Sequence, residues 1–180
     1  MKISLSKLIL LLFLTIAVFS CKKDDPVLNY FKYELIKYEV DEGSIEYYGK
    51  LDPSNPGYNY DVSLFSTGII FDPLAGTFSG TGNIIVLQMY SDSEDSLSPG
   101  TYSFNADGSR TPFTFDIGRF GLFVNMDDQT GTIILVNSGT IVISLKGDKW
   151  TFDFDCETSA DKAITGSFTG TLDFYDQTGK

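Results

Sequence analysis

The chain has no histidine among its 180 residues. That removes the commonest general base, the usual partner of a nucleophilic serine or cysteine, and the commonest zinc ligand. Cysteine is nearly as scarce, with only Cys21 and Cys156 present. A small secreted domain that relies on disulfides carries several paired cysteines, so this one must rest on its core. Arginine occurs twice, at Arg110 and Arg119, and 13 basic side chains face 24 acidic ones, a formal charge of −11. A surface of that sign repels nucleic acid and anionic headgroups, which excludes nucleic acid as a partner. Long apolar runs are missing too. The longest, Leu8 to Phe19, has twelve residues, whereas a membrane span needs about 20. No window of helical length carries the three-to-four residue apolar period of an amphipathic helix.

The short apolar run has a different use. Lys2 and Lys7 precede it, and Ser20-Cys21 closes it ahead of Lys22-Lys23-Asp24-Asp25. A basic start, a short apolar stretch and a small residue before the cut make a secretory signal. Cleavage after Ser20, in front of a cysteine, resembles a bacterial lipoprotein signal, with Cys21 as the lipid-bearing first residue of the mature chain. Residues 1–20 are then removed and residues 21–28 become a lipidated cysteine with a short tether. Residues 29–180 remain as a single domain, long enough to bury a core. Loss of Lys2 and Lys7 leaves 11 basic and 24 acidic side chains, a charge of −13. The seven residues after Cys21 reach at most about 25 Å, so the domain stays close to the bilayer. Lipid on Cys21 also leaves Cys156 without a disulfide partner.

From Asn29 onward the pattern is strand after strand. Threonine, valine, isoleucine and aromatic residues alternate with polar ones between turn residues. The pattern predicts strands near 30–40, 44–50, 58–66, 68–72, 82–90, 100–104, 112–117, 119–126, 131–136, 139–146, 149–157 and 163–175. The last third is clearest. Ile141, Ile143 and Leu145 share one face, and Gly147-Asp148 makes a tight hairpin turn of the primed kind. Trp150, Phe152, Phe154 and Cys156 follow in phase, opposite Thr151, Asp153, Asp155 and Glu157. After a turn from Thr158 to Lys162, Ile164, Gly166, Phe168, Gly170, Leu172 and Phe174 alternate with polar residues. Alternation this long means one buried and one wet face. Glycines on the apolar face of a strand mark bends, as do Gly118 and Gly121 around Arg119-Phe120. The expected fold is all-β: a strongly coiled antiparallel meander forming a small lipocalin-like barrel, with a β-sandwich as the alternative.

The stretch Ser138 to Asp173, S-G-T-I-V-I-S-L-K-G-D-K-W-T-F-D-F-D-C…I-T-G-S-F-T-G-T-L-D, resembles the C-terminal meander of many small Bacteroidota surface lipoproteins of unknown function. Ser96-Leu97-Ser98-Pro99-Gly100-Thr101-Tyr102 is similar to their strand start leading into G-T-Y. Lys22-Lys23-Asp24-Asp25 is similar to the export signal that sends such lipoproteins to the outer face of the outer membrane. The resemblance implies a β-barrel or lipocalin-like domain on the cell surface. It brings across no catalytic residues.

Asp153, Asp155 and Glu157 stand about 6.5–7 Å apart along one strand face. A catalytic pair needs two carboxyls in unequal environments, and these three share a solvated face. The oxygen-rich loops Asp92–Asp95, Asn105–Gly108 and Asn125–Gln129 lack the terminal glutamate of a calcium loop, and Asn, Asp and Gly are what turns require. No metal or cofactor is expected. Cys156, in phase with the aromatic core, is inert filler. Eight of ten tyrosines lie between Tyr30 and Tyr90. The dense pairs Tyr47-Tyr48 and Tyr58/Tyr60 are the candidate ligand-binding residues, since aromatic rings offer apolar area with a polar handle. Neighbours on a strand face opposite ways, so one of Tyr47 and Tyr48 must leave the core. The loops 51–57 and 72–78 are expected to form one rim of the barrel. The function expected is non-catalytic binding of a glycan, a small apolar ligand in the barrel mouth, or a host protein. The alternative is an interaction or structural protein, such as a protease-inhibitor-like calycin or an accessory subunit of a surface complex.

Overall fold

The computed structural model describes residues 29–179. The proposed signal, its cleavage point after Ser20 and the lipidation site Cys21 lie outside the described residues. Twelve strands follow one another with no helix among those residues. They are β1 (Tyr30–Tyr33), β2 (Ile36–Glu39), β3 (Glu42–Gly49), β4 (Tyr58–Phe65), β5 (Ile69–Asp72), β6 (Thr77–Ser91), β7 (Gly100–Phe104), β8 (Thr114–Asn125), β9 (Thr130–Lys146), β10 (Lys149–Thr158), β11 (Ala163–Gly170) and β12 (Asp173–Asp176).

The strands form one strongly curled, barrel-like sheet in the order β12-β3-β4-β6-β8-β7-β9-β10-β11-β1-β2, with β5 attached to β6. The chain itself links β2, at one end of this order, to β3, next to the other end, because only Val40 and Asp41 separate them. Their amides change neighbours. Val40 N–H donates to Asn29 O at 3.1 Å on the β1 side, and Asp41 N–H to Phe65 O at 2.8 Å on the β4 side. Gly166 brings β1 close to β11. Its φ is +154°, and a Cβ there would stand 2.2 Å from the Tyr30 carbonyl oxygen, so no larger residue lets β1 lie against β11.

The C-terminal meander β9–β10–β11 forms as its alternation requires, with Lys146 opposite Lys149 across Gly147-Asp148. Phe152, Phe154, Cys156, Ile164 and Phe168 are buried, while Asp153, Asp155 and Glu157 are exposed. Several expectations need correction. The stretches 112–117 and 119–126 are one strand, β8, and 131–136 and 139–146 are one strand, β9. The 30–40 stretch is a hairpin, not one strand; it turns through Glu34 and Leu35, both at positive φ. No glycine or asparagine marks that turn. The 163–175 stretch breaks after Gly170, and β12 crosses to pair with β3 in parallel, leaving Phe174 51 % exposed. β7 also pairs with β8 in parallel, so the sheet is mixed rather than purely antiparallel.

The inward faces meet in one core. Phe31 stacks on Tyr38 at 5.3 Å and meets Phe120 edge-on at 5.1 Å, and Phe120 in turn meets Phe154 at 5.7 Å. β1, β8 and β10 thus touch across the interior, which is filled by aromatic and aliphatic side chains. Each fully buried phenylalanine contributes roughly 2–3 kcal/mol, and such side chains replace disulfides here. Leu97, 1 % exposed, belongs to this core from the loop before β7. The Ser91 hydroxyl pins that loop by accepting from Ser98 N–H at 3.0 Å and donating to Ser96 O at 3.3 Å. A second, smaller core lies on the outer wall. There the β5–β6 flap folds over, and Phe65, Ile69, Ile84 and Val124 pack with Phe71 and Phe78.

Candidate functional site

Period-two alternation sends Tyr47, Tyr60 and Leu87 into the barrel and therefore sends Glu46, Asp61 and Gln88 out. Register then sets these three in line across the wall: Glu46 opposite Asp61, and Asp61 opposite Gln88. Two carboxyls directly opposite each other repel. Local bonds offset part of that cost. Asn59 Nδ2 donates to Asp61 Oδ1 at 3.2 Å, and Gln88 Nε2 approaches the same oxygen at 3.5 Å. Tyr48 O–H donates to Glu46 Oε2 at 3.1 Å. Tyr90 O–H extends the row to β8, reaching Asp116 Oδ2 at 2.8 Å and Gln88 Oε1 at 3.2 Å. Burial pushes the Asp61 carboxyl up to about 6, with Glu46 and Asp116 adding repulsion and the Asn59 and Gln88 bonds opposing it. Burial also drives the Tyr48 and Tyr90 phenols well above their ordinary range.

The loop before β8 lies over one end of this row. Gly57 N–H donates to Arg110 O at 3.0 Å, and Phe113 N–H to Tyr90 O at 2.8 Å. A Cβ on Gly57 would meet Arg110 O at 2.6 Å, so the loop can approach only a glycine. Asn59 is 1 % exposed, yet its Oδ1 has no partner, and neither has the buried Asp116 Oδ1. Arg110 from that loop acts on the Tyr90 phenol, and its buried Nε is likewise without a partner, so the row is rich in acceptors with one cationic donor at its end. A ligand offering hydroxyl or N–H groups matches it.

The predicted tyrosines divide. Tyr47 and Tyr60 are cross-strand partners facing inward, with ring centroids 4.9 Å apart. Tyr60 is fully buried and donates to Ser93 O at 3.0 Å, which makes it core rather than a contact surface. Tyr58 is half-buried at the same end, its phenol raised first by a hydrogen bond with Glu94, and the Lys50 ammonium lies 4.9 Å over its ring. Tyr48 alone points outward, 39 % exposed, beside Glu46 and Asp61. The carboxyl row itself was not picked out from the sequence. Its signal is an acid at the centre of each of two adjacent strands, Ser44-Ile45-Glu46 and Tyr60-Asp61-Val62.

The single-rim expectation is overturned. Tyr58, ending the 51–57 loop, pairs with Ser91 at one end of β6, whereas the turn after Asp72 leads to Thr77 at the other. The oxygen-rich loops use their side chains in turns. Asn125 Oδ1 accepts from Asp127 and Asp128 N–H, and Asp107 Oδ1 accepts from Ser109 N–H at 2.7 Å. Cys156 is buried, and burial pushes its thiol up to about 12. No family model, curated protein or solved structure matches this chain.

Proposed function

We propose that this chain is a lipid-anchored module of the outer membrane surface that binds a glycan on the outer wall of its barrel. The observation that carries this reading is the row Glu46–Asp61–Gln88 next to the outward ring of Tyr48. Sugars present hydroxyl donors along one edge and apolar C–H faces on the other. Carboxylates and amides suit the first, and an exposed aromatic ring suits the second. The filled interior favours the wall over the barrel mouth as the place where binding occurs. The anchor supports the location: lipid on Cys21 and a tether of at most about 25 Å hold the wall where extracellular polysaccharide passes.

A second reading, a carboxylate-only hydrolase, has one observation in its favour. Glu46 and Asp61 are directly opposed, which sets their Cβ atoms about 4.5–5.5 Å apart, and a raised carboxyl is what a general acid needs. One set of measurements separates the readings. The wild-type chain is expected to retain oligosaccharides on a glycan array without cleaving them, and Tyr48→Ala to lose most of that binding. Cys21→Ala is expected to lose both palmitate labelling and outer-membrane fractionation. An array with no retained glycan, or a Cys21→Ala variant that still labels, contradicts the proposal. Release of sugar by the wild type and not by Asp61→Asn would establish the hydrolase instead.

A further inference from the structure

A groove runs along the outside of β8 from a recess that Arg119 shares with Asp116 at the end of the carboxyl row, and its ends differ in chemistry. Register places Arg119 between Val86 of β6 and Leu135 of β9, and Gly121 between Ile84 and Ile133. Ile84 and Ile133 are the walls and Gly121 is the floor. A Cβ on Gly121 would stand 2.6 Å from Val124 Cγ2 and 2.8 Å from Ile84 Cγ2, so glycine keeps the floor open. The far end is closed by Met126 and by Phe78 of the flap. The volume is about 370 Å³, within the roughly 300–1,000 Å³ of small-molecule sites. A recess of about 180 Å³ beside Gln129–Gly131 shares Val124, Met126 and Ile133 with it.

Arg119 is the one charged residue bounding the groove. Among the described residues it has no ion-pair or hydrogen-bond partner. An unpaired guanidinium in a chain of formal charge −11 is free for an external anion. The rest of the lining offers only carbon and the methionine sulfur, which adapts readily to ligand shape.

We propose that this groove binds a single-chain amphiphile, with its carboxylate on Arg119 and its hydrocarbon tail over Gly121 toward Met126. This site adjoins the glycan surface at Asp116 but has its own lining and does not depend on that reading. The test is titration calorimetry of laurate and dodecanol, below aggregating concentrations, with the chain from residue 22, whose core lies wholly between Phe31 and Leu172. Laurate is expected to bind the wild type at one site. Arg119→Gln is expected to weaken laurate at least about tenfold, the worth of a charge-assisted hydrogen bond, while leaving dodecanol unchanged. Ile133→Asp is expected to abolish binding of both. Arg119 and Ile133 are exposed, so both variants should melt as the wild type does. Tyr48→Ala is expected to bind laurate normally, so the two sites can fail separately. Absence of laurate binding to the wild type, or undiminished binding by Arg119→Gln or Ile133→Asp, overturns the proposal.

Discussion

Asp61 shows how much chemistry a single alternation step decides. Moved one position either way it would enter the barrel; where it stands it faces Glu46 and Gln88 on a crowded wall. Its raised carboxyl has a definite consequence for stability. Between the ordinary carboxylate range and about pH 6, the folded chain holds a proton there that the unfolded chain has released. Asp61 therefore makes stability fall as pH rises through that window and level off above it. A rise of this size corresponds to about 3 kcal/mol. Urea unfolding at pH 4, 6 and 8 should show Asp61→Asn gaining on the wild type as pH rises, by up to about that amount. A constant difference across the three pH values would mean that Asp61 ionises in the fold as it does in the open chain. The alternation placing Asp61 outward was legible in Tyr58-Asn59-Tyr60-Asp61-Val62. Its partners were not, because register is settled by strands distant in sequence. The tyrosines illustrate the same limit. Either Tyr47 or Tyr48 had to leave the core, but the residue that does so was decided by Tyr47 lying against Tyr60.

At the scale of elements, the meander β9–β10–β11 was legible because local turns join its strands and its alternation is unbroken. Two features were hidden for a common reason. β12 continues the polar–apolar rhythm of β11 through Leu172, so nothing local announces the crossing to β3. The β1–β2 turn uses Glu34 and Leu35 at positive φ, where turn chemistry normally shows glycine or asparagine. The β5–β6 flap is a semi-independent element. It packs on the small outer core, where Phe78 joins Phe65 at 5.7 Å and Phe71 at 4.7 Å, and Phe71 also meets Tyr175 of β12 at 5.6 Å. Phe78→Ala should lower the free energy of opening the flap by about 1–3 kcal/mol while leaving the main core intact. Hydrogen exchange reads this as faster exchange at the Ile69–Asp72 and Thr77–Gly80 amides, with Phe152 and Phe168 still protected. Equal loss of protection in both regions would show that flap and barrel open as one unit. The flap also walls the β8 groove, so Phe78→Ala should loosen laurate binding as well.

For the whole molecule, an acidic barrel with a filled interior has its chemistry on the outside. The acidic balance and the absence of histidine were legible in composition alone. The barrel-like curl was legible from glycines placed on apolar faces, of which Gly166 lies directly against the backbone of β1. That the interior is filled was not legible, since alternation says which residues turn inward and not how much space they enclose. Leu97 and the Ser91-pinned loop complete the filling from one end. On the proposed glycan reading, recognition belongs to the wall, with the exposed Tyr48 rather than the buried Tyr60 as the aromatic contact. The direct measurement is amide chemical-shift mapping of an array-selected oligosaccharide on the isotope-labelled chain. Shifts concentrated at Tyr48, Asp61, Gln88 and Asp116, with Phe152 and Phe168 still, are the predicted result. Shifts at the interior residues, with the outer row unmoved, would contradict it.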